Sequence, residues 1–360
     1  MKITIVAGAR PNFIKIAPII EALDQKISEG FNIKYRLIHT GQHYDKKLSA
    51  SFFEELQIPN PDINLNVGSG SQAEQTAAIM IGFEKELIEN PTDLVMVVGD
   101  VTSTMACSIV AKKQRVSVTH IEAGIRSGDL AMPEEINRMV TDSITDYFFT
   151  TSRVANKNLE AIGIKKESIF FVGNVMIDTL LKKEPSFKQP KIWNTLKLNQ
   201  KDYFVLTLHR PSNVDEQAHF ENMLNQIIVS SLGKPIIFPV HPRTKKIIDG
   251  LNLNHSNLHF VEPLGYLEFN YLVKNALAVL TDSGGITEEA TILNIPCITF
   301  RDSTERPETC DIGTNVLVGS SLKKIEDAFK TLFSGKWKKG KQPELWDGKA
   351  AQRIAGHLIE

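Results

Sequence analysis

The sequence predicts an α/β protein made of two Rossmann-like parallel-sheet domains facing a cleft. Three observations carry this expectation. Short Val- and Ile-rich runs alternate with amphipathic stretches, the alternation breaks once and then restarts, and 360 residues suit two domains better than one. A parallel sheet is covered on both faces, so its strands read as continuous apolar runs, not as alternating ones.

In chain order, Ile3–Ala7, Tyr35–His39, Leu94–Val98, Val116–Ile121 and Ile169–Val172 read as buried strands. Helical stretches lie between them, for example Phe13–Ile27 and Glu134–Ile144. Lys182–Gln200 is rich in Lys, carries Pro185 and Pro190, and has no clear period, so it reads as a linker. The pattern then resumes with Tyr203–Leu208, Ile236–Val240, His259–Val261, Ala278–Thr281 and Cys297–Phe300, and a helix is predicted over Ile286–Leu293. A cleft between two such lobes is a favoured ligand site.

Composition removes several function classes. Hydrophobic residues at 42% and charged residues at 23% are ordinary for a globular chain and exclude disorder, collagen and coiled coil. Lys+Arg number 41 and Asp+Glu 42, a net charge of −1, so no global field holds nucleic acid or an anionic membrane surface. Cys107, Cys297 and Cys310 are too few and too scattered for a disulfide framework or a Cys-rich zinc site, and the first and second of them sit in apolar surroundings as small core residues. The first apolar run is too short for a signal peptide and no stretch approaches the ~18 apolar residues of a membrane span, so a cytoplasmic setting is expected.

In open α/β sheets, ligands bind beyond the carboxyl ends of the strands. The residues just after each predicted strand are therefore informative: Gly8-Ala9-Arg10-Pro11 with Lys15, then Gly99-Asp100, Glu122-Ala123-Gly124, His209-Arg210, His241-Pro242-Arg243 and Asp282-Ser283-Gly284-Gly285. Any one of these fits a cap or a surface residue; their recurrence at strand ends is hard to explain by packing. Ser283-Gly284-Gly285 opens a helix, where glycines let a phosphate approach the free N–H groups, although an ordinary strand-to-helix turn with Ser283 as N-cap fits the triplet equally well. Glu288 and Glu289 lie in the first turn of that helix, where acids are favoured by the dipole and where either can serve a ligand hydroxyl. Gly8 lacks the second and third glycines of a dinucleotide fingerprint and there is no Walker A pattern, so no bound NAD or FAD is expected. His39, His43, His209 and His241 are dispersed, and no metal is expected.

Together these motifs resemble the non-hydrolysing UDP-N-acetylglucosamine 2-epimerases. The resemblance runs through Gly8-Ala9-Arg10-Pro11…Lys15, His39-Thr40-Gly41-Gln42-His43, Gly99-Asp100, His120-Ile121-Glu122-Ala123-Gly124 and Pro133-Glu134-Glu135-Ile136-Asn137-Arg138. It continues through Gly173-Asn174-Val175, His209-Arg210, Thr281–Glu289, Thr304-Glu305-Arg306-Pro307-Glu308 and Trp346-Asp347-Gly348-Lys349-Ala350. It implies a glycosyltransferase-B type fold with UDP in the cleft: one domain over 1–181 rejoined by a C-terminal helix over 346–360, and a UDP-binding domain over 182–345.

The resemblance also implies roles. Asp100, Glu122, Glu134 and His209 are the catalytic candidates; Arg10, Lys15, Phe269, Ser283, Gly284, Gly285, Glu289 and Arg306 bind the UDP-sugar substrate. Gln42, Arg210 and His241 correspond to a neighbouring activating site for substrate. The implied reaction has no cofactor. UDP leaves C1 while a base takes the C2 proton, giving 2-acetamidoglucal, and UDP adds back after protonation on the other face. Carboxylates suit the proton transfers, and cations or N–H donors suit the departing diphosphate. A homodimer and a place in surface polysaccharide synthesis are implied as well.

Some positions depart from the commonest pattern: Asn12-Phe13 for a Glu-Ala pair, Leu264 where Gln is frequent, and no basic residue near Gln72. Phe52-Phe53-Glu54-Glu55-Leu56, His241-Pro242-Arg243-Thr244 and Pro263-Leu264-Gly265-Tyr266-Leu267 look like sister enzymes acting on UDP-2,3-diacetamido-2,3-dideoxyglucuronate, whereas Thr304–Glu308 looks like the N-acetylglucosamine enzymes. A UDP-sugar glycosyltransferase of the same fold is the other alternative.

Overall fold

The computed structural model describes residues 1–41, 53–240, 248 and 255–359. Two compact units form, Met1–Lys182 with Glu344–Glu360, and Lys183–Pro343. The first holds a seven-stranded sheet: β1 (Lys2–Ala7), β2 (Lys34–His39), β3 (Ile63–Asn64), β4 (Leu94–Val98), β5 (Ser117–Ile121), β6 (Tyr147–Thr150) and β7 (Ile169–Phe171). The order is β3-β2-β1-β4-β5-β6-β7 and every pairing is parallel. The second holds β8 (Phe204–Thr207), β9 (Ile236–Pro239), β10 (Leu258–Val261), β11 (Ala278–Thr281), β12 (Cys297–Thr299) and β13 (Asn315–Leu317), in the order β10-β9-β8-β11-β12-β13, again all parallel. Both sheets are Rossmann-like, and in each the direction of winding reverses once, between β1 and β4 and between β8 and β11.

Burial of both faces explains the apolar runs. On one face of the second sheet Phe204, Leu206, Phe238 and Leu280 pack against Phe220, Leu224 and Phe329. Tyr203, Val205, Ile237 and Val279 pack on the other face, against Leu272, Val273 and Ala290. In the first unit Val6, Val95, Val97 and Val118 pack against Ile79, Phe83 and Leu87 of the helix Gln72–Glu89 and against Cys107 and Val110 of the helix Thr102–Lys113. Cys107 and Cys297 are buried core residues.

The expected linker over 182–200 is corrected. It contains the short helix Lys191–Thr195, and Ile192, Trp193, Leu196 and Leu198 pack into the second unit's core. Four apolar side chains within seven residues are enough to dock a segment whose Lys188, Lys191 and Lys197 face solvent. The C-terminal segment belongs to the first unit: Trp346 is fully buried with its Nε1 donating to the Thr151 carbonyl at 3.0 Å, and Asp178 accepts the Ala350 and Ala351 N–H groups at the start of the helix Ala350–His357. No helix among the described residues is long and apolar enough to cross a membrane.

Candidate active site

The two winding reversals carry most of the predicted residues. At the first, β1 runs into the helix Arg10–Ser28. Asn12 ties that turn to its neighbour: its Oδ1 accepts the Gly8 and Ala9 N–H groups at 3.1 and 3.0 Å, and its Nδ2 donates to the Val98 carbonyl of β4 at 2.9 Å. Asn12 thus has a structural reason to stand where the resembled pattern has Glu. Arg10, in the first turn of the helix, is largely buried, and desolvation holds its guanidinium below the usual arginine range despite the carboxylate of Glu55.

One turn on, Lys15 forms an ion pair with Glu122, and both side chains are buried, 8% and 5% exposed. Glu122 follows β5 with φ +74°, a left-handed conformation that is uncommon for a residue bearing a side chain. The N–H groups of Glu122 and Ala123 both point to the Phe149 carbonyl and hold this bend. Between these groups lies Gly99, at φ +68°, where a Cβ would stand 3.1 Å from Lys15 Nζ and 3.8 Å from Glu122 Oε2. The left-handed backbone and the tight approach to Lys15 both favour glycine there.

The helix Pro133–Ile144 organises the rest of this site. Arg138 pairs with Asp100 and, at 2.9 Å, with Glu135. Asn137 donates to the Asp100 carbonyl at 2.8 Å. Burial alone would raise the Glu135 carboxyl, but the N–H groups of Ser127 and Gly128, the Ser127 hydroxyl and Arg138 outweigh it and hold the group below the usual range. Glu134, the residue singled out from sequence, is half-buried in the first turn. Asp142 and His120, both fully buried, lie behind the two loops.

At the second reversal, Asp282 follows β11 and is fully buried. It accepts the Arg210 N–H at 2.9 Å, the His209 N–H, Asn213 Nδ2 at 3.0 Å and His209 Nδ1 at 2.8 Å. Burial opposes ionisation of Asp282, but His209, the Arg210 N–H and Asn213 together keep its carboxyl below the usual range. The His209 ring itself is half-exposed. Arg210 Nε donates to the Asp282 carbonyl at 3.0 Å, and its terminal nitrogen stands 4.0 Å from Glu305.

Ser283 precedes the helix Gly284–Ile292 and its hydroxyl does not cap the helix. A Cβ at Gly284 would stand 2.8 Å from Glu305 Oε1, so a side chain there would displace the Glu305 carboxylate. Deeper in that helix, Glu289 is buried and its carboxyl is pushed up to about 7 by desolvation, with Tyr266 and Asn270 as hydrogen-bond partners. Phe269, on the same helix as Tyr266 and Asn270, is half-buried. Arg306 pairs through Nε with Glu288.

The structure therefore brings Arg10, Lys15, Asp100, Glu122 and Glu134 to one sheet end, and His209, Arg210 and Ser283–Gly285 to another. Glu289, Phe269 and Arg306 belong to the second unit as well. Gln42 and His241 lie outside the described residues. Sequence reasoning quoted Asn12, His120, Glu135 and Arg138 within motifs without giving them a role, and did not mention Asp142. The signal for the last three was their spacing on one helix face, at i, i+3 and i+7. Among the described residues no group of three or more His, Cys, Asp or Glu side chains is arranged to hold a metal ion.

Comparison with known proteins gives consistent results. The family model described as UDP-N-acetylglucosamine 2-epimerase matches residues 25–359. The chain is 44% identical over 365 residues to the UDP-N-acetylglucosamine 2-epimerase of Methanocaldococcus jannaschii, covering 98% of each chain. It is 37% identical over 368 residues to the UDP-2,3-diacetamido-2,3-dideoxy-D-glucuronate 2-epimerase of Pseudomonas aeruginosa, covering 100% of each. The crystal structure of the M. jannaschii UDP-GlcNAc 2-epimerase in complex with UDP-GlcNAc and UDP superposes with a TM-score of 0.90 at 42% identity, over 99% of both chains.

Proposed function

This chain belongs to the UDP-N-acetylglucosamine 2-epimerase family, an isomerase family, and from that premise we propose that it interconverts UDP-N-acetylglucosamine and UDP-N-acetylmannosamine without hydrolysis. The observation that carries the proposal is the pairing of two carboxylates with cations at one sheet end, Glu122 with Lys15 and Asp100 with Arg138. Proton removal from C2 needs a carboxylate that stays ionised in a dry site, and a neighbouring cation supplies that.

In the proposed reaction one carboxylate takes the C2 proton as the C1–O bond breaks. UDP leaves anti with the bonding pair, and 2-acetamidoglucal remains. A second acid delivers a proton to the opposite face of C2, and a phosphate oxygen of UDP re-forms the bond to C1. Asp100, Glu122 and Glu134 are the proton-transfer groups, and Arg10 and Lys15 balance the diphosphate charge. His209 and the N–H groups of Ser283, Gly284 and Gly285 meet the phosphates, Glu289 the ribose and Phe269 the uracil, with Arg306, anchored by Glu288, beside them. Activation by substrate, in this reading, falls to the positions that the family resemblance assigns to it, Gln42, Arg210 and His241. The enzyme acts as a cytoplasmic homodimer and supplies surface polysaccharide synthesis.

The 37% identity to the diacetamido-glucuronate enzyme favours that sugar as the second substrate to test. The test is proton NMR of each UDP-sugar incubated with the purified protein. Appearance of the manno epimer from UDP-N-acetylglucosamine supports the proposal. Turnover of the diacetamido uronate alone moves the substrate assignment to the sister reaction, and loss of the sugar to free UDP in either case contradicts a non-hydrolysing enzyme.

A further inference from the structure

His120 stands on β5 and is 0% exposed. Its Nε2 lies 2.8 Å from the Gly99 carbonyl oxygen and its Nδ1 2.7 Å from Asp142 Oδ1. A carbonyl oxygen only accepts, so Nε2 bears hydrogen. Asp142 faces cations and donors on its other oxygen, the Gly124 N–H at 3.1 Å and Arg126 Nη1 at 2.6 Å. Burial opposes ionisation of Asp142, yet His120 and Arg126 outweigh it and hold the carboxyl below its usual range. Nδ1 and Asp142 Oδ1 share a hydrogen across 2.7 Å, so both ring nitrogens are engaged.

The consequence falls on Gly99. Its N–H donates to the Ile121 carbonyl at 3.0 Å and its carbonyl accepts from His120. Both polar groups of the residue at φ +68° are therefore fastened to β5. The next residue is Asp100, and the residue following Ile121 is Glu122. The direction in which Asp100 leaves β4 depends on the ψ of Gly99, which the His120 bond holds. Asp142 fastens the β5 exit at the same time, through Gly124 and Arg126.

We propose that His120 is a positioning residue. It is a buried ring, held by Asp142, that donates from Nε2 to the Gly99 carbonyl and so sets the placement of Asp100. It does not reach substrate, since it is fully buried with both nitrogens engaged. The proposal rests on the catalytic assignment of Asp100 and Glu122 for its kinetic consequence, but not for the Nε2–Gly99 hydrogen bond.

Two readouts separate these. Nitrogen-15 NMR of the ring in the intact wild-type protein is expected to show hydrogen on Nε2 of His120, bonded to the Gly99 carbonyl. An Nε2 that bears no hydrogen overturns the proposal whatever the activity. In His120→Asn the amide keeps the reach to Asp142 and loses Gly99, and kcat is expected to fall ~100-fold with KM for the UDP-sugar within ~3-fold, as for a reacting group misplaced by about an ångström. In His120→Gln the longer amide can still donate to Gly99 and restores most of kcat. Equal kcat in wild type and His120→Asn, or no rescue by Gln in a protein that folds like wild type, overturns the positioning role. If neither protein turns over any UDP-sugar, the functional assignment fails, and the ring spectrum alone decides the proposal.

Discussion

Replacing Lys15 by Met removes the cation from a buried pair while leaving the carboxylate of Glu122 in place. Both side chains are more than nine-tenths buried, so water cannot take over from the ammonium group. Breaking such a pair costs about 3–5 kcal/mol, because it strands an uncompensated charge. Glu122 has one escape, which is to take up a proton. From an ordinary glutamate value near 4.3 up to pH 7 is about 2.7 pH units, so protonation caps the charge penalty at ~3.7 kcal/mol at neutrality and at ~1 kcal/mol near pH 5. The sign follows from linkage. A carboxyl held protonated in the folded state binds more protons there than in the unfolded chain, so the variant's deficit grows as pH rises. Urea unfolding of wild type and Lys15→Met at about pH 5 and about pH 7.5 reads this directly. The expected result is a deficit that widens by a few kcal/mol between the two, and that the double variant Lys15→Met/Glu122→Gln largely loses. A deficit of the same size at both pH values would refute the buried-pair reasoning.

Glu289 gives a second pH dependence, of known sign. Its carboxyl is raised to about 7 by burial, so its contribution to stability is fully present below its ordinary value near 4.5 and is lost as pH rises through about 7. Unfolding free energy should fall by ~3 kcal/mol across that window and flatten in Glu289→Gln, whereas UDP affinity by calorimetry should rise with pH if the ionised carboxylate accepts from the ribose. Gly99→Ala should cost ~1–2 kcal/mol for the left-handed backbone alone, and a larger share of kcat, because the new methyl sits 3.1 Å from Lys15 Nζ. Unchanged turnover in Gly99→Ala would argue against that loop's role. Trp346→Ala should cost ~3–5 kcal/mol, read by thermal unfolding, since it empties a fully buried indole and orphans the Thr151 carbonyl.

The fold was legible wherever strands were long and apolar. Ile3–Ala7, Leu94–Val98 and Ala278–Thr281 are recovered almost to the residue as β1, β4 and β11. Three strands were missed for a common reason. β3 has two residues and β13 three, too few to show a pattern, and β6 follows the helix Pro133–Ile144 with no glycine or proline to mark the change. The linker misreading had the opposite cause, since lysines and prolines masked the apolar side chains of Ile192, Trp193, Leu196 and Leu198. Candidate residues at strand ends were legible because open α/β sheets place their ligand loops there. The roles of their supports were not: Asn12, His120 and Arg138 stand in the quoted motifs and Asp142 outside them, and only the fold shows which loop each one holds. Glu134 and Glu135 show the limit plainly. Adjacent in sequence, one is half-buried in the first helical turn and the other is locked to Arg138 and the Ser127–Gly128 backbone.

The most direct test of the proposed chemistry is the fate of the C2 hydrogen. Wild-type protein is incubated with UDP-N-acetylglucosamine in deuterium oxide, and the recovered sugars are read by NMR and mass. Elimination and re-addition predicts one solvent deuteron at C2 of the manno product, with exchange into recovered substrate, and no such label with Glu122→Gln or Asp100→Asn that still binds UDP. A manno product that retains its original C2 proton would contradict the proposed reaction.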